Sequence, residues 1–120
     1  MTEDQAFDYL YDRAALHGLT VPELLSVTPT SVSDCYMESA EFWEGKDISH
    51  ICPQSTHPHL ASEVTNVMPE DPSPNRARGA QVMTEAEIEI AHADNTADAE
   101  IINVDGDFMG TVDDMLFAFI

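Results

Sequence analysis

The sequence predicts an α+β chain: an N-terminal helical cap, then a hairpin-helix module, then an acidic helical extension. Three observations point there. Helix-capping patterns recur through the first third. Strand-forming residues interrupted by prolines fill residues 46–72, where Pro53, Pro58, Pro69 and Pro72 forbid long helices. Beyond residue 83 the chain carries ten acidic residues and no Lys or Arg. The boundaries read as a cap over 1–45, the module over 46–83 and the acidic helix with an apolar tail over 84–120, packed as a single domain.

Element by element, Thr2 with Gln5 forms a capping box, Phe7, Leu10 and Ala14 recur on one face, and Gly18 stops the helix. Thr20 with Glu23 repeats the device, with Pro22 in the first turn and Pro29 after the end. Ser31 then caps a third helix bearing Val32, Tyr36, Ala40 and Trp43 on one side. The pair 17–25 and 30–33 has some helix-turn-helix character. Asp34 and Glu38 would face phosphates there, so DNA reading is disfavoured.

Ile48, Ile51, Val64, Val67 and Met68 predict two strands joined by a wide loop over about residues 53–62. Ser73-Pro74 starts a short helix over 74–82, and Gly79 inside it implies close packing or an early end. Thr84 with Glu87 opens a further helix to about residue 98, with Ile88, Ala91 and Asn95 in one stripe. In the tail, Asp105-Gly106 between apolar runs predicts a hairpin. Asn103, Asp105 and Asp107 alternate as in calcium loops, but the distal Glu of an EF-hand is missing.

The chain has 120 residues, 43% apolar, enough for a modest core, and a formal charge of −19. No membrane-length apolar run and no signal-peptide pattern occurs, which predicts a cytoplasmic protein whose Cys35 and Cys52 stay reduced. Charge is uneven: net −7 over 1–46, −2 over 47–83 and −10 over 84–120. The middle segment is a nearly neutral island between flanks that repel nucleic acid and favour basic partners.

That island carries the candidate chemistry. Phosphodiester hydrolysis needs an activated water, a Lewis acid and help for the leaving oxygen. A histidine can take the water's proton, and oxygen ligands can hold a hard divalent ion. The words Ile48-Ser-His-Ile51, Pro53, Asn66-Val67 and Asn75-Arg-Ala-Arg-Gly79 resemble the HNH, or ββα-metal, endonuclease family, in its phage-type variant with Ser-His at the start. The resemblance covers about a quarter of the chain. It implies His50 as general base, Asn66 as the residue fixing the loop that orients it, and Asn75 as a ligand of Mg²⁺ or Mn²⁺. The family usually places an acidic metal ligand just before the histidine, where this chain has Ser49. Asp47, two residues earlier, is the substitute ligand, with Glu70 and Asp71 as further carboxylates. Arg76 and Arg78 either grip substrate phosphate or pair with Glu70 and Asp71. His57 and His59 read as part of a polar loop.

Two functions follow. One is a metal-dependent endonuclease of phage or mobile-element origin acting on DNA. The alternative is a catalytically inactive acidic phage protein on the same scaffold. It would use Glu85, Glu89, Asp94 and Asp98 to bind and modulate a basic host or phage protein that handles nucleic acid. A virion accessory role fits the same acidity. The sequence leaves the oligomeric state open.

Overall fold

Residues 3–15 become helix α1 (Glu3–Ala15) because the Thr2 side chain accepts from Gln5 N while the Gln5 side chain accepts from Thr2 N. The computed structural model describes the backbone of residues 1–118 and the side chains of residues 1–103. The buried stripe of α1 is Ala6, Leu10 and Ala14; Phe7, expected on it, stands 38% exposed at the edge. The turn that follows α1 closes at Gly18, whose positive φ of 71° lets Leu19 N reach back to Ala14 O. Helix α2 (Val21–Ser26) opens on the second capping box, Thr20 with Glu23.

The third helix departs from expectation. Residues 30–34 form turns bonded to Pro29 O, and α3 runs over Tyr36–Glu44 with Cys35 at its N-cap. Those turns drive Val32 fully into the core, and its carbonyl accepts from Ser39 Oγ at 2.7 Å. Trp43 and Phe42 of α3 are among the largest buried side chains. Trp43 Nε1 donates to Thr28 Oγ1 at 2.9 Å, so its polar end is satisfied.

Strands β1 (Asp47–His50) and β2 (Val67–Glu70) pair antiparallel, with Ser49 opposite Met68 and His50 opposite Val67. The connecting loop is wider than expected and carries two short 3₁₀ turns, Pro58–Leu60 and Val64–Asn66. Val64 therefore lies in a turn and not in a strand. Helix α4 (Pro72–Arg78) begins two residues early and stops four residues early, because Gly79 adopts φ 62°. It lies against β1.

The last helix, α5, runs over Glu85–Ala118 in 34 residues. It overruns the expected end near residue 98 and continues through Asp105-Gly106, so no hairpin forms there. The side chains of Asp105 and Asp107 lie outside the described residues. Among the described residues the fold is thus a small α+β arrangement of five α-helices and one two-stranded antiparallel sheet. No described helix is long and apolar enough to cross a membrane. Cys35 and Cys52 are free thiols.

One buried cluster draws on all three expected segments, from Ala6 and Leu10 through Trp43, Ile48 and Val67 to Ala99. A second joins Met68 and Met83 to Ala91 of α5, with Ile51 and Ile88 packed against it. These clusters hold the hairpin between the cap and α5.

Candidate functional site

Strand alternation places Ile48 and His50 on one face of β1 and Asp47 and Ser49 on the other. A cleft of about 300 Å³ opens on the first face, where His17, His50, Gln54, Asn75, Arg78 and Gly79 meet. His50 Nε2 lies 3.0 Å from the carbonyl oxygen of Ala61. A carbonyl only accepts, so Nε2 carries the proton and donates. The Gln54 amide nitrogen stands over the ring, 3.1 Å from Nε2 and 3.3 Å from Nδ1.

The loop that supplies Ala61 is held by Asn66, which is 6% exposed. Its Oδ1 accepts from Cys52 N at 2.9 Å, and its Nδ2 donates to Cys52 O at 3.0 Å and to Leu60 O at 3.2 Å. One amide thus ties both ends of the loop that orients His50.

The other candidate residues are engaged differently. Asn75 lines the cleft with His50, but its Nδ2 donates to Asp47 Oδ2 at 2.9 Å. Asp47 also accepts from Nε and Nη2 of the Arg76 guanidinium, both at 3.2 Å. Burial alone would raise the Asp47 pKa; the hydrogen bonds from Asn75 and Arg76 outweigh it and hold the carboxyl below 3.8.

Arg78 does not face a substrate. Its side chain is 4% exposed and forks onto the equally buried Glu70, with one of the two contacts at 3.0 Å. It also donates to Ser49 Oγ and to Glu87 Oε2, each at 3.0 Å, and Ser49 Oγ donates to Glu70 Oε1 at 2.9 Å. Of the two alternatives the sequence offers for Arg78, phosphate contact or pairing with Glu70, the structure shows the pairing with Glu70, at the centre of a buried ion cluster. The Glu70 hydrogen bond, against the opposing effect of burial, raises its pKa further above the usual guanidinium value. Arg76, with a 73% exposed side chain, stays at the surface and pairs with Asp47.

Lys46 is buried and bridges Asp71 of the α4 N-cap, at 2.6 Å, to Asp98 of α5, at 2.7 Å. Burial alone would lower its pKa, and the two carboxylates outweigh that and raise it above 10.5. Arg13 donates to the carbonyls of Trp43 and Lys46 and to the Tyr9 hydroxyl.

The residues present do not fit a hard divalent ion. Among the described residues no group of three or more His, Cys, Asp or Glu is arranged to hold a metal. Mg²⁺ asks for a near-octahedral oxygen shell that includes carboxylate. Asp47 sits across the strand from His50 and is already bonded to Arg76 and Asn75, while Glu70 and Asp71 are tied to Arg78 and Lys46. His57 and His59 face each other on the wide loop with ring centroids 6.1 Å apart.

The expected acidic face also divides. At about 100° per residue, Glu85 and Glu89 fall on one flank of α5, and Asp94 and Asp98 on the opposite flank. Ala91, Asn95 and Ala99 are buried between them. Glu85, Glu89 and Asp94 are exposed, whereas Asp98 is half-buried against Lys46.

Two cleft residues carry no sequence signal. His17 comes from the end of the cap, and its ring centroid lies 5.2 Å from that of His50. Burial first, then the charges of His50 and Arg13, lower its pKa below 6.5. Gln54 bridges the two histidines, 3.3 Å from His17 Nδ1. Comparison with protein-family models, with curated proteins and with solved structures gave no match.

Proposed function

We propose that residues 46–83 form an HNH-like ββα scaffold and that the chain acts as an acidic binding protein. Its partner on this reading is a basic protein whose own ligand is nucleic acid. The carrying observation is the disposition of positive charge. The chain has four Lys and Arg residues. Arg13 is turned onto backbone carbonyls, Lys46 and Arg78 are buried in ion clusters, and Arg76 is paired with Asp47. Affinity for a polyanion comes from Lys and Arg releasing counterions at phosphates. A surface of net charge −19 with no cation to spare instead favours a positively charged groove.

The experiment is capture from lysate at stepped ionic strength, followed by competition with duplex DNA. We expect one basic protein, released by added salt and displaced by DNA. Capture should fall at least about tenfold when Glu85, Glu89, Asp94 and Glu100 are changed to Gln or Asn, and stay unchanged in His50→Ala. A captured protein that DNA does not displace, or capture indifferent to the four changes, refutes this reading.

A second reading, an HNH-like endonuclease, is favoured by one specific feature. His50, oriented through Nε2 by the Ala61 carbonyl, lines the same cleft as Asn75, as a general base would have to. Nicking of plasmid DNA in Mg²⁺ or Mn²⁺ that disappears in His50→Ala would establish this reading. Intact plasmid in both metals would remove it.

A further inference from the structure

A groove of about 550 Å³ runs between α1 and α2, walled by Phe7, Tyr11, Leu19, Pro22, Leu25 and Tyr36. Phe7 packs edge-on against Tyr36 with ring centroids 5.4 Å apart, and stands 6.4 Å from the Tyr11 ring. The aromatic wall is thus set before anything docks, which spares a partner the cost of ordering it. Phe7 is 38% and Tyr11 57% exposed, and Pro22 of α2 is exposed as well. Water therefore reaches a contiguous apolar face, a feature that marks docking surfaces on folded proteins. Phe7, Tyr11 and Ala15 recur every four residues along α1, and at about 1.5 Å per residue they span about 12 Å. That length matches about two turns of a second helix laid along the groove.

The rim selects the occupant. Asp4 and Asp8 come three residues before Phe7 and Tyr11, so each neighbours one ring on the helix surface. Glu3 and Asp34 line a recess that shares Tyr36 with the groove. These four acids are exposed, and among the described residues none pairs with a Lys or Arg. No Lys, Arg or His lines the groove or the recess. Arg13 of α1 is bonded instead to the carbonyls of Trp43 and Lys46. A second copy of the chain, at net −19, would bring like charge to this rim. The chain's own apolar end would do the same, since residues 104–120 hold Asp105, Asp107, Asp113 and Asp114 and no Lys or Arg. An anionic bilayer meets the same repulsion. A helix with an apolar stripe flanked by cations complements both floor and rim.

We propose that the groove between α1 and α2 docks an amphipathic, cationic helix of a partner protein. Its apolar side chains, at i, i+3, i+4 and i+7 spacing, lie between Phe7, Tyr11 and Leu25, and its Lys or Arg residues face Glu3, Asp4, Asp8 and Asp34. The groove shares no residue with the acids of α5 or with the His50 cleft, so it stands or falls apart from the proposed function.

The test is fluorescence anisotropy of the full chain with a labelled leucine–lysine peptide of about five helical turns, its leucines on one stripe. Physiological ionic strength screens exposed charges beyond about 8 Å. We expect saturable one-to-one binding, weakened about tenfold or more when the same residues are scrambled out of helical spacing or when glutamate replaces lysine. Tyr11→Ala, at an exposed position, should weaken binding about tenfold with the thermal melt unchanged. Leu16→Ala, 78% exposed but outside the groove, should leave binding within about twofold. Asp4→Asn/Asp8→Asn should weaken binding and flatten its salt dependence, and carries the test if Tyr11→Ala shifts the melt. Neutralising Glu85, Glu89, Asp94 and Glu100 should leave it within about twofold. No saturable binding at millimolar peptide overturns the proposal. So does equal affinity for the scrambled or the glutamate peptide, or undiminished binding by Tyr11→Ala. A chain that sediments as a dimer, dissolved by Tyr11→Ala, would assign the groove to a second copy and overturn it too.

Discussion

Arg76 and Arg78 stand two residues apart in one short helix, and replacing each in turn separates a structural from a substrate-gripping arginine. Arg78→Met removes the partner of Glu70, whose side chain is 4% exposed, and leaves its carboxylate uncompensated. Breaking a buried pair from one side costs about 3–5 kcal/mol. The contact to Glu87, at the solvent-facing edge of the cluster, adds little, because water screens it. At a urea slope of about 2 kcal/mol per molar, the unfolding midpoint should fall by about 2 M. Arg76→Ala, losing a 73% exposed side chain, should cost less than about 1 kcal/mol. The double variant Glu70→Met/Arg78→Met should recover at least half of the loss, because no buried charge then remains. Urea denaturation followed by circular dichroism reads all three. If Arg78→Met lost less than about 1 kcal/mol, or the double variant were no better than the single, the inward assignment of Arg78 would be wrong. A phosphate-gripping role would then reopen.

Three further outcomes can be stated. Asn66→Ala forfeits three hydrogen bonds around the wide loop and should cost about 2 kcal/mol, with limited proteolysis moving to residues 51–66; an unchanged cleavage pattern would count against the clamp. Gly18→Ala imposes φ 71° on a side-chain-bearing residue and sets its Cβ 2.5 Å from Ser62 Oγ, so the melting temperature should drop by an amount equivalent to more than about 1 kcal/mol; an unchanged melt would refute the tight turn. His17 has a folded pKa below its unfolded 6.5, so the folded state resists its protonation; its contribution is complete above 6.5 and is lost as pH falls through that value. The urea midpoint should therefore drop as pH falls below about 6.5, and less steeply in His17→Gln; parallel pH profiles would contradict the lowered pKa of the half-buried His17.

What was legible in the sequence is what is local. Three capping boxes, at Thr2, Thr20 and Thr84, all form, because a Ser or Thr with a Gln or Glu three residues on satisfies its donors without help from elsewhere. The two strands were legible from β-branched residues fenced by prolines, and Asn95 from its place in the α5 stripe. The continuation of α5 was not. Asp105-Gly106 reads as a turn, yet a glycine inside a helix costs only about 1 kcal/mol, which a helix of 34 residues absorbs. The roles of Arg76 and Arg78 were partly legible. Residues two apart on a helix point about 200° from each other, so one side facing the hairpin forces the other outward. His17 was illegible, because only the tertiary fold brings it across 33 positions to His50.

The buried cations also decide how the acidic surface has to be tested. Lys46 reaches Asp98 and Arg78 reaches Glu87, so two of the acids of α5 fasten that helix to the hairpin module. Thr84 N–H and Oγ1 hold Glu87 in the capping box as well, and this, ahead of Arg78, lowers its pKa below 4.5. Neutralising Asp98 or Glu87 would strand Lys46 or weaken the cap, and lost partner capture could then reflect a loosened helix. Glu85, Glu89, Asp94 and Glu100 are exposed, and among the described residues none of them pairs with a Lys or Arg. Their neutralisation should leave the unfolding free energy within about 0.5 kcal/mol of the wild type while removing four charges. Loss of capture at unchanged stability would then locate the partner on α5. Capture retained there, at unchanged stability, would refute the proposed function.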